Sequence, residues 1–265
     1  MTRLRAVALC AVVSVLISVG AVGSDGSITV AEIVQRWAAA NRADFKGSQQ
    51  YNYSERIRDK DGTKTYDVAM LFGRPYKRLV MINGTPLGQS ERQQEENKFI
   101  QERADRAAES PSERADRTAE YQKKRERAHR ILDQIPQAFR YIRRPNRRVG
   151  SLVLYVLRAS PRPGYEPPNI EAKVLTGMRG EFWIDTTTYQ LYRGVAYVLR
   201  PISIEGFLAI IQPGTQFEVE QRSVGDGIWL PTHFKISSRS SIVFLFHHHT
   251  DEERDYFDYR KVAEF

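Results

Sequence analysis

The fold of this 265-residue chain is decided by residues 51–84, which read YNYSERIRDKDGTKTYDVAMLFGRPYKRLVMING. Side chains alternate with a period of two from Tyr51 to Arg58 and again from Tyr66 to Phe72, which is the spacing of β-strands. Asp61-Gly62 and Asn83-Gly84 are turn signals. Connections this short join antiparallel neighbours, because a parallel pair needs a crossover of about a dozen residues. The stretch therefore predicts a three-stranded antiparallel meander.

Further strands are predicted from Arg147 to the C-terminus. They are a strand at 152–159, hairpins at 180–199 and 214–237, and two final strands at 241–247 and 256–262. Strands and helices do not alternate along the chain, so a parallel sheet is not indicated. The sequence predicts a mainly β protein with helices (α+β), built on an antiparallel sheet of about ten strands.

The segment before the meander predicts one amphipathic helix over residues 29–45. Thr29 and Glu32 have the spacing of a capping box. Ile33, Trp37 and Ala40 then recur at the helical period and form an apolar stripe. Such a helix needs an apolar surface to cover, and the sheet offers one.

Residues 89–133 form a charged insert between strands, rich in Glu, Arg, Gln and Ala. Residues 102–109 recur as 113–120, at a period of eleven residues, which is three helical turns. Pro111 interrupts the run, so two helices are predicted, at about 89–109 and 112–133. Two interpretations stay open: a solvated helical hairpin beside the sheet, or a mobile lid or docking arm.

The first 23 residues have the pattern of a secretory signal peptide. Arg3 and Arg5 precede an apolar run from 6 to 19, and small residues end the segment with a cleavage point after Gly23. Cys10 lies inside the apolar run, where a lipid-modified cysteine is not found. An uncleaved N-terminal anchor is the alternative. Cleavage leaves a periplasmic protein without a thiol and with a net charge of about +6 (8 − 2).

Composition sets further bounds. A single Cys excludes an internal disulfide and multi-thiolate metal sites. The net charge of +8 does not by itself indicate nucleic-acid binding, and no nucleic-acid-binding motif is present. No cofactor is predicted.

The histidine run at 247–249 is the only weak metal candidate. His247 and His249 share a strand face, and His233 on another strand offers a third ligand if the register brings it near. Zinc needs three or four ligands. The alternative is a half-exposed strand end.

Five arginines lie between residues 140 and 148 and could clamp a phosphate or carboxylate: Arg140, Arg143, Arg144, Arg147 and Arg148. The alternative is that they are solvated or paired with acids of the insert.

No nucleophile with its helper residues is present, so the chain is not predicted to be an enzyme. Glu218 and Glu220 share a strand face, but their alternation with Phe217 and Val219 is that of an ordinary solvent-facing row.

Three strand segments are apolar on both faces: 152–157, 207–211 and 242–246. An antiparallel sheet with one wet face alternates, whereas a sheet whose curved face holds a helix or an apolar ligand does not. For any single residue a place in the core is the alternative to a place in a cavity. The candidate ligand-binding residues are Trp37, Phe72, Trp183, Phe217, Trp229, Phe244 and Phe246, with Arg143 and Arg144 at the cavity mouth.

Several motifs resemble those of bacterial outer-membrane lipoprotein-sorting-like proteins with the LolA/LolB-like fold. They are the hairpin Gly180–Asp185 with Tyr189, Glu220-Gln221 followed by Asp226–Pro231, and the terminal Asp258–Lys261. The resemblance spans roughly 45–265. It implies a strongly curved, incomplete β-barrel plugged by helices, with an apolar cavity for acyl chains.

The resemblance implies a non-catalytic periplasmic carrier of a lipid or of the acyl group of a lipoprotein. After cleavage of the signal peptide, residues 24–265 are expected to form a single domain that contains the insert. The protein is expected to be a monomer and to bind no nucleic acid. The insert is larger than a minimal carrier needs. The alternative is therefore an envelope-sensing or protein-interaction module that uses the same fold and the insert, and a third is an enzyme whose site no motif reveals.

Overall fold

The computed structural model describes residues 28–204, 209–238, 242–244, 247–248 and 251–262. The predicted signal peptide, Phe246 and His249 lie outside them. The helices are α1 (Val30–Gly47), α2 (Gln89–Ala108) and α3 (Pro111–Ala138), with 3₁₀ turns at Ser48–Gln50 and Ala172–Gly177. The strands are β1 (Tyr51–Asp59), β2 (Gly62–Leu71), β3 (Arg74–Ile82), β4 (Thr85–Pro86), β5 (Phe139–Val149), β6 (Leu152–Pro161), β7 (Met178–Asp185), β8 (Leu191–Val198), β9 (Ile202–Ile204), β10 (Ala209–Ile211), β11 (Gln216–Gly225), β12 (Ile228–Ser237), β13 (Ile242–Phe244), β14 (His247–His248) and β15 (Glu252–Lys261).

Eleven strands form one antiparallel sheet in the order β4-β3-β2-β1-β15-β12-β11-β8-β7-β6-β5. The sheet is open, because β4 and β5 end it without pairing to each other. A second sheet has the order β14-β13-β10-β9. The predicted α+β class and antiparallel sheet are confirmed. Within the described residues, ten strands have eight to eleven residues, and the other five have only two or three.

Helix α1 covers one face of the large sheet, called the inner face here. Its capping box forms as predicted, since Thr29 Oγ1 accepts from the Glu32 N–H at 3.2 Å and Glu32 Oε2 accepts from the Thr29 N–H at 2.9 Å. Trp37 on this helix is 3% exposed and packs in the main core with Leu157 of β6 and Ile184 of β7. The helix therefore buries the apolar stripe that the sequence predicted.

The boundary between the insert and the next strand differs from the prediction. Helix α3 continues to Ala138 instead of ending at 133, because Ile135 and Ala138 are buried in the main core. Strand β5 then begins at Phe139 rather than near 147 and contains the whole arginine run. Pro145 is tolerated inside it because β5 is the last strand of the sheet, and an edge strand need not donate on both sides.

The insert docks on the sheet through buried arginine. The Arg106 guanidinium of α2 is 7% exposed and donates to the carbonyl oxygens of Leu71 (3.2 Å) and Arg74 (2.9 Å). Arg74 in turn pairs with Glu109 at 2.6 Å. On α3, Arg125 donates to the carbonyl of Phe45 at the end of α1. The charged insert is thus more than a solvated hairpin, since its guanidiniums satisfy backbone carbonyls of the β2–β3 turn and of α1.

Replacement of Arg106 by alanine is expected to lower the free energy of unfolding by about 2 kcal/mol, because it leaves buried carbonyls without donors. Arg117 occupies the equivalent place in the second copy of the repeat, but its side chain is 58% exposed and pairs with Glu109 at 3.0 Å. Arg117→Ala is therefore the matched control, with an expected loss below about 1 kcal/mol. Urea denaturation measures both, and equal losses would contradict the docking role of Arg106.

No helix among the described residues has the length and apolar character needed to cross a bilayer.

Candidate functional site

Two clefts adjoin beside the inner face, at the end of α3. The first, of about 560 Å³, lies between α1 and α3. The second, of about 690 Å³, lies between the end of α3 and the loop at 161–170 that follows β6. Arg162 lines both clefts. The two clefts are therefore neighbours that share this one side chain.

Backbone contacts hold Arg162 at the point where the clefts meet. Its N–H donates to the Ala138 carbonyl at 2.9 Å, and its guanidinium Nη2 and Nε donate to the Phe139 carbonyl at 3.1 and 3.4 Å. The guanidinium is thereby anchored from one side at the junction of α3 and β5. The side chain is otherwise exposed, so the guanidinium remains accessible to a ligand.

The first cleft has a mixed polar and apolar lining. Its walls combine apolar residues of α1 and α3, such as Val30, Val34 and Pro136, with the polar side chains of Gln35 and Gln137. Its charged pair, Arg42 and Asp133, is joined at 2.9 Å. The walls thus offer contacts to both apolar and polar parts of a ligand.

The second cleft has a cationic rim. Arg162, Lys173 and Arg200 line it, and its described lining includes no carboxylate. The remaining walls are mainly apolar or neutral: Ala138, Pro161, Pro163, Gly164, Tyr165, Pro167, Asn169, Ile170 and Thr176. Three cations above apolar walls suit a ligand with an anionic group and an apolar body.

The phenols of the clefts remain neutral donors. Burial raises the pKa of Tyr141 in the first cleft, and its hydroxyl donates to the Ile135 carbonyl at 2.7 Å. Burial also raises the pKa of Tyr165 in the second cleft, 3.3 Å from Gln134 Oε1. Neither phenol contributes a negative charge at neutral pH, so the cationic character of the second cleft is not offset.

The predicted aromatic ligand residues are divided between the two faces of the sheet. Trp37 lies on the inner face, with its ring centroid 4.7 Å from that of Phe182, and the register places half-buried Phe217 on that face too. Trp183 and Trp229 pack together on the opposite, outer face with Leu154. These residues therefore cannot line one common cavity.

The other predicted residues lie elsewhere. Phe72 is 41% exposed at the β2–β3 turn, with the Arg114 guanidinium 5.3 Å from its ring centroid. Phe244 lies in β13. Arg143 and Arg144 are exposed on β5 and line neither cleft; Arg143 lies 4.9 Å from the Tyr155 ring and donates to the Ile28 carbonyl at 3.3 Å.

The histidine candidates are separated by the topology. His247 lies in β14 of the small sheet, whereas His233 lies in β12 of the large sheet. His233 Nδ1 is 2.9 Å from Asp255 Oδ1, and Glu253 is close to both. However, Arg56 and Arg58 already pair with Asp255 and Glu253, at 3.7 and 3.0 Å. This group is better described as a network of cross-strand ion pairs.

Two of the buried carboxylates outside the clefts join different elements of the fold. Asp44 of α1 accepts from the Trp229 N–H at 2.8 Å and from Gln190 Nε2 at 3.1 Å, and burial raises its pKa to about 6. Glu55 of β1 is 1% exposed and lies between Lys77 and Arg254, with the Arg254 Nη1 at 3.2 Å. The first joins α1 to β12 and the second joins three strands, so both have evident structural roles.

Arg162, Lys173 and Arg200 are not predicted from the sequence, because they belong to three different segments. The available signal was the loop at 161–168, whose four prolines make it rigid. A rigid proline loop beside a helix end can keep a cleft open, because it cannot collapse onto its neighbours.

The comparisons with known proteins give structural matches only. No protein-family model and no curated protein matches the chain. It is similar to a LolA superfamily protein from Nitrosomonas europaea, with 11% identity, a TM-score of 0.34, and coverage of 90% of this chain and 96% of that one. A domain described as outer membrane lipoprotein-sorting, from Vibrio parahaemolyticus, has 10% identity, a TM-score of 0.34, and coverage of 87% and 91%.

A third similar structure is a DUF1329 family protein from Desulfovibrio piger, with 13% identity, a TM-score of 0.34, and coverage of 86% of this chain and 92% of that one. These matches include the family that the sequence resembles.

Proposed function

We propose that this chain is a non-catalytic periplasmic carrier that binds a lipid, or the acyl group of a lipoprotein, as a monomeric single domain. The observation that supports it best is the second cleft, whose mainly apolar walls lie beside Arg162, Lys173 and Arg200, with the first cleft adjoining it at Arg162. An anionic amphiphile has the complementary distribution of apolar and charged parts.

The affinity would come mainly from burial of the acyl chain. Each methylene taken out of water contributes about 0.8 kcal/mol, so a chain of about 14–16 carbons has enough apolar surface to outweigh the ordering of ligand and side chains. The cations would orient the ligand by binding its carboxylate or phosphate. Their contribution is expected to be smaller, because all three are exposed.

Delipidated, refolded protein is expected to bind a fluorescent fatty acid of about 14–16 carbons at micromolar concentration. The double variant Lys173→Ala/Arg200→Ala should bind the fatty acid about three- to tenfold more weakly than the wild type does. It should bind the matching methyl ester as well as the wild type does, because the ester has no anionic group. Arg92→Ala/Lys123→Ala removes two exposed cations of the insert and should bind like the wild type. Fluorescence titration decides it, and wild-type protein that binds neither probe contradicts the carrier function.

The second candidate function is an envelope-sensing or protein-interaction module that uses the insert. The observation that favours it is that α2 and α3 leave most of their charged surface exposed, together with Ile100, which is 56% exposed. Mass spectrometry of organic extracts of the purified protein separates the two: co-purified lipid supports the carrier, and lipid-free protein that captures an envelope partner through the insert supports the sensor.

A further inference from the structure

The outer face of the large sheet carries its charges asymmetrically. On β5 to β8, direct cross-strand partners place one row of Arg144, Val156, Trp183 and Arg193 on this face, and the next row there is Ile142, Arg158, Glu181 and Val195. Arg140, Arg147 and Arg179 lie on the same face. On these four strands, six arginines thus face outward beside one glutamate, Glu181.

Most of these arginines lack a counter-charge. Among the described residues, no carboxylate lies within ion-pairing distance of Arg140, Arg144, Arg147, Arg158 or Arg179, and all five are exposed. Arg193 alone is paired, with Glu218 at 2.7 Å. We call this region, the outward-facing side chains of β5 to β8, the basic patch.

The other half of the same face neutralises itself. On β12, β15 and β1, Asp255 contacts His233 and Arg56, and Glu253 contacts Arg58. The charge of the basic patch is therefore not a general property of the outer face. It is confined to the four strands at one end of the sheet.

Apolar and aromatic side chains lie among the cations of the basic patch. Ile142 is 58% exposed and Tyr197 is 37% exposed. The Trp183 ring lies between the guanidiniums of Arg147 and Arg193, at 5.0 and 5.2 Å from its centroid. Arginine with tryptophan, tyrosine and an exposed aliphatic residue is the composition of surfaces that rest in the headgroup layer of a bilayer.

A cleft of about 380 Å³ lies within the basic patch, and Arg158, Arg179, Arg193 and Tyr197 line it. Its one carboxylate, Glu181, accepts a hydrogen bond from Trp183 Nε1 at 2.8 Å, so the three guanidiniums still outnumber the acid. Guanidiniums bind phosphate oxygens in a bidentate manner, so this cleft suits one phosphate headgroup. The binding groups are spread over a face of four strands and are not aligned along one groove. This distribution fits an extended anionic surface better than it fits a single peptide strand.

We propose that the basic patch binds the surface of a membrane that contains anionic phospholipids, with Arg144 and Arg158 among the contacting residues. Binding occurs through the sheet face opposite to the clefts, so a protein attached this way keeps both clefts accessible to a ligand. The attachment is peripheral and electrostatic, and it weakens as salt screens the charges.

Co-sedimentation with vesicles tests the proposal. Wild-type protein is expected to bind mixed vesicles of phosphatidylglycerol and phosphatidylcholine and to dissociate from them at high salt. It should not bind vesicles of pure phosphatidylcholine. Arg144→Glu/Arg158→Glu should lower the partition coefficient at least about tenfold. Arg92→Glu/Lys123→Glu makes the same change of net charge on the insert and should bind like the wild type.

Several outcomes would overturn the proposal. They are the absence of vesicle binding by the wild type, equal binding to both types of vesicle, or an equal loss of binding in the insert control. Wild-type protein that binds polyglutamate but not vesicles would assign the patch to an acidic protein partner. Circular dichroism and thermal melts check folding, which exposed positions should preserve. Lys173→Ala/Arg200→Ala should leave vesicle binding unchanged, which separates the patch from the proposed acyl site.

Discussion

Replacement of Trp37 by alanine is expected to lower the free energy of unfolding by about 3–5 kcal/mol. The indole is 3% exposed, lies against Phe182 and joins α1 to the inner face of the sheet. Its removal leaves a cavity that the surrounding rigid strands cannot close. Urea denaturation followed by circular dichroism measures the loss.

Trp183→Ala is the matched control for Trp37→Ala. Its indole is half-buried on the outer face, held by the Nε1–H bond to Glu181 at 2.8 Å and by flanking guanidiniums. Since water already reaches this side chain, its removal should cost clearly less. A Trp37→Ala protein with wild-type stability but impaired acyl binding would instead place Trp37 in a ligand cavity.

The positions of Trp37 and Trp183 in the fold show what periodicity can and cannot predict. Alternation along a strand predicts which side chains share a face, and the meander at 51–84 formed as expected, with positive φ at Gly62, Asn83 and Gly84 in its turns. Alternation does not say which face the helices cover. Periodicity therefore predicts a cavity that includes Trp183 and Trp229, whereas the fold places them in a cluster on the outer face.

The candidate site was hidden from the sequence for a different reason. Its cations come from the residue after β6, the 3₁₀ turn before β7 and the loop after β8, namely Arg162, Lys173 and Arg200. No local pattern joins these segments, because only the packing of α3 against the sheet brings them together. The sequence predicts that this helix ends at 133, but α3 continues to Ala138 for the same reason, since the burial of Ile135 and Ala138 is a tertiary effect.

The second large effect is expected from pH. The pKa of Asp44 is raised by burial to about 6 in the folded protein, against an ordinary 3.8. Between these values the folded state binds a proton that the unfolded state does not. The contribution of Asp44 to the free energy of unfolding should therefore rise as pH falls from about 7 to about 4, by about 3 kcal/mol in total.

Asp44→Asn isolates this contribution. Asparagine keeps an oxygen that accepts from the Trp229 N–H and Gln190 but carries no charge, so the variant avoids the cost of burying a carboxylate. The free energy of unfolding of the variant minus that of the wild type should therefore be larger at pH 7.5 than at pH 4. The difference between the free energies of unfolding of the two proteins removes the effect of groups that both contain. One such group is Glu95: its hydrogen bond to Lys98 lowers its pKa, so the stability that it contributes is lost as the pH falls.

Asp226→Asn is the control for pH dependence. Asp226 is exposed and pairs with Lys261, and that hydrogen bond lowers its pKa, so any stability it contributes is lost as the pH falls. The slope of the difference curve should therefore have the opposite sign to that for Asp44 and be much smaller. Urea denaturation at a series of pH values gives both curves. A flat curve for Asp44→Asn would mean that the carboxylate keeps an ordinary pKa and that the junction of α1 with β12 is hydrated.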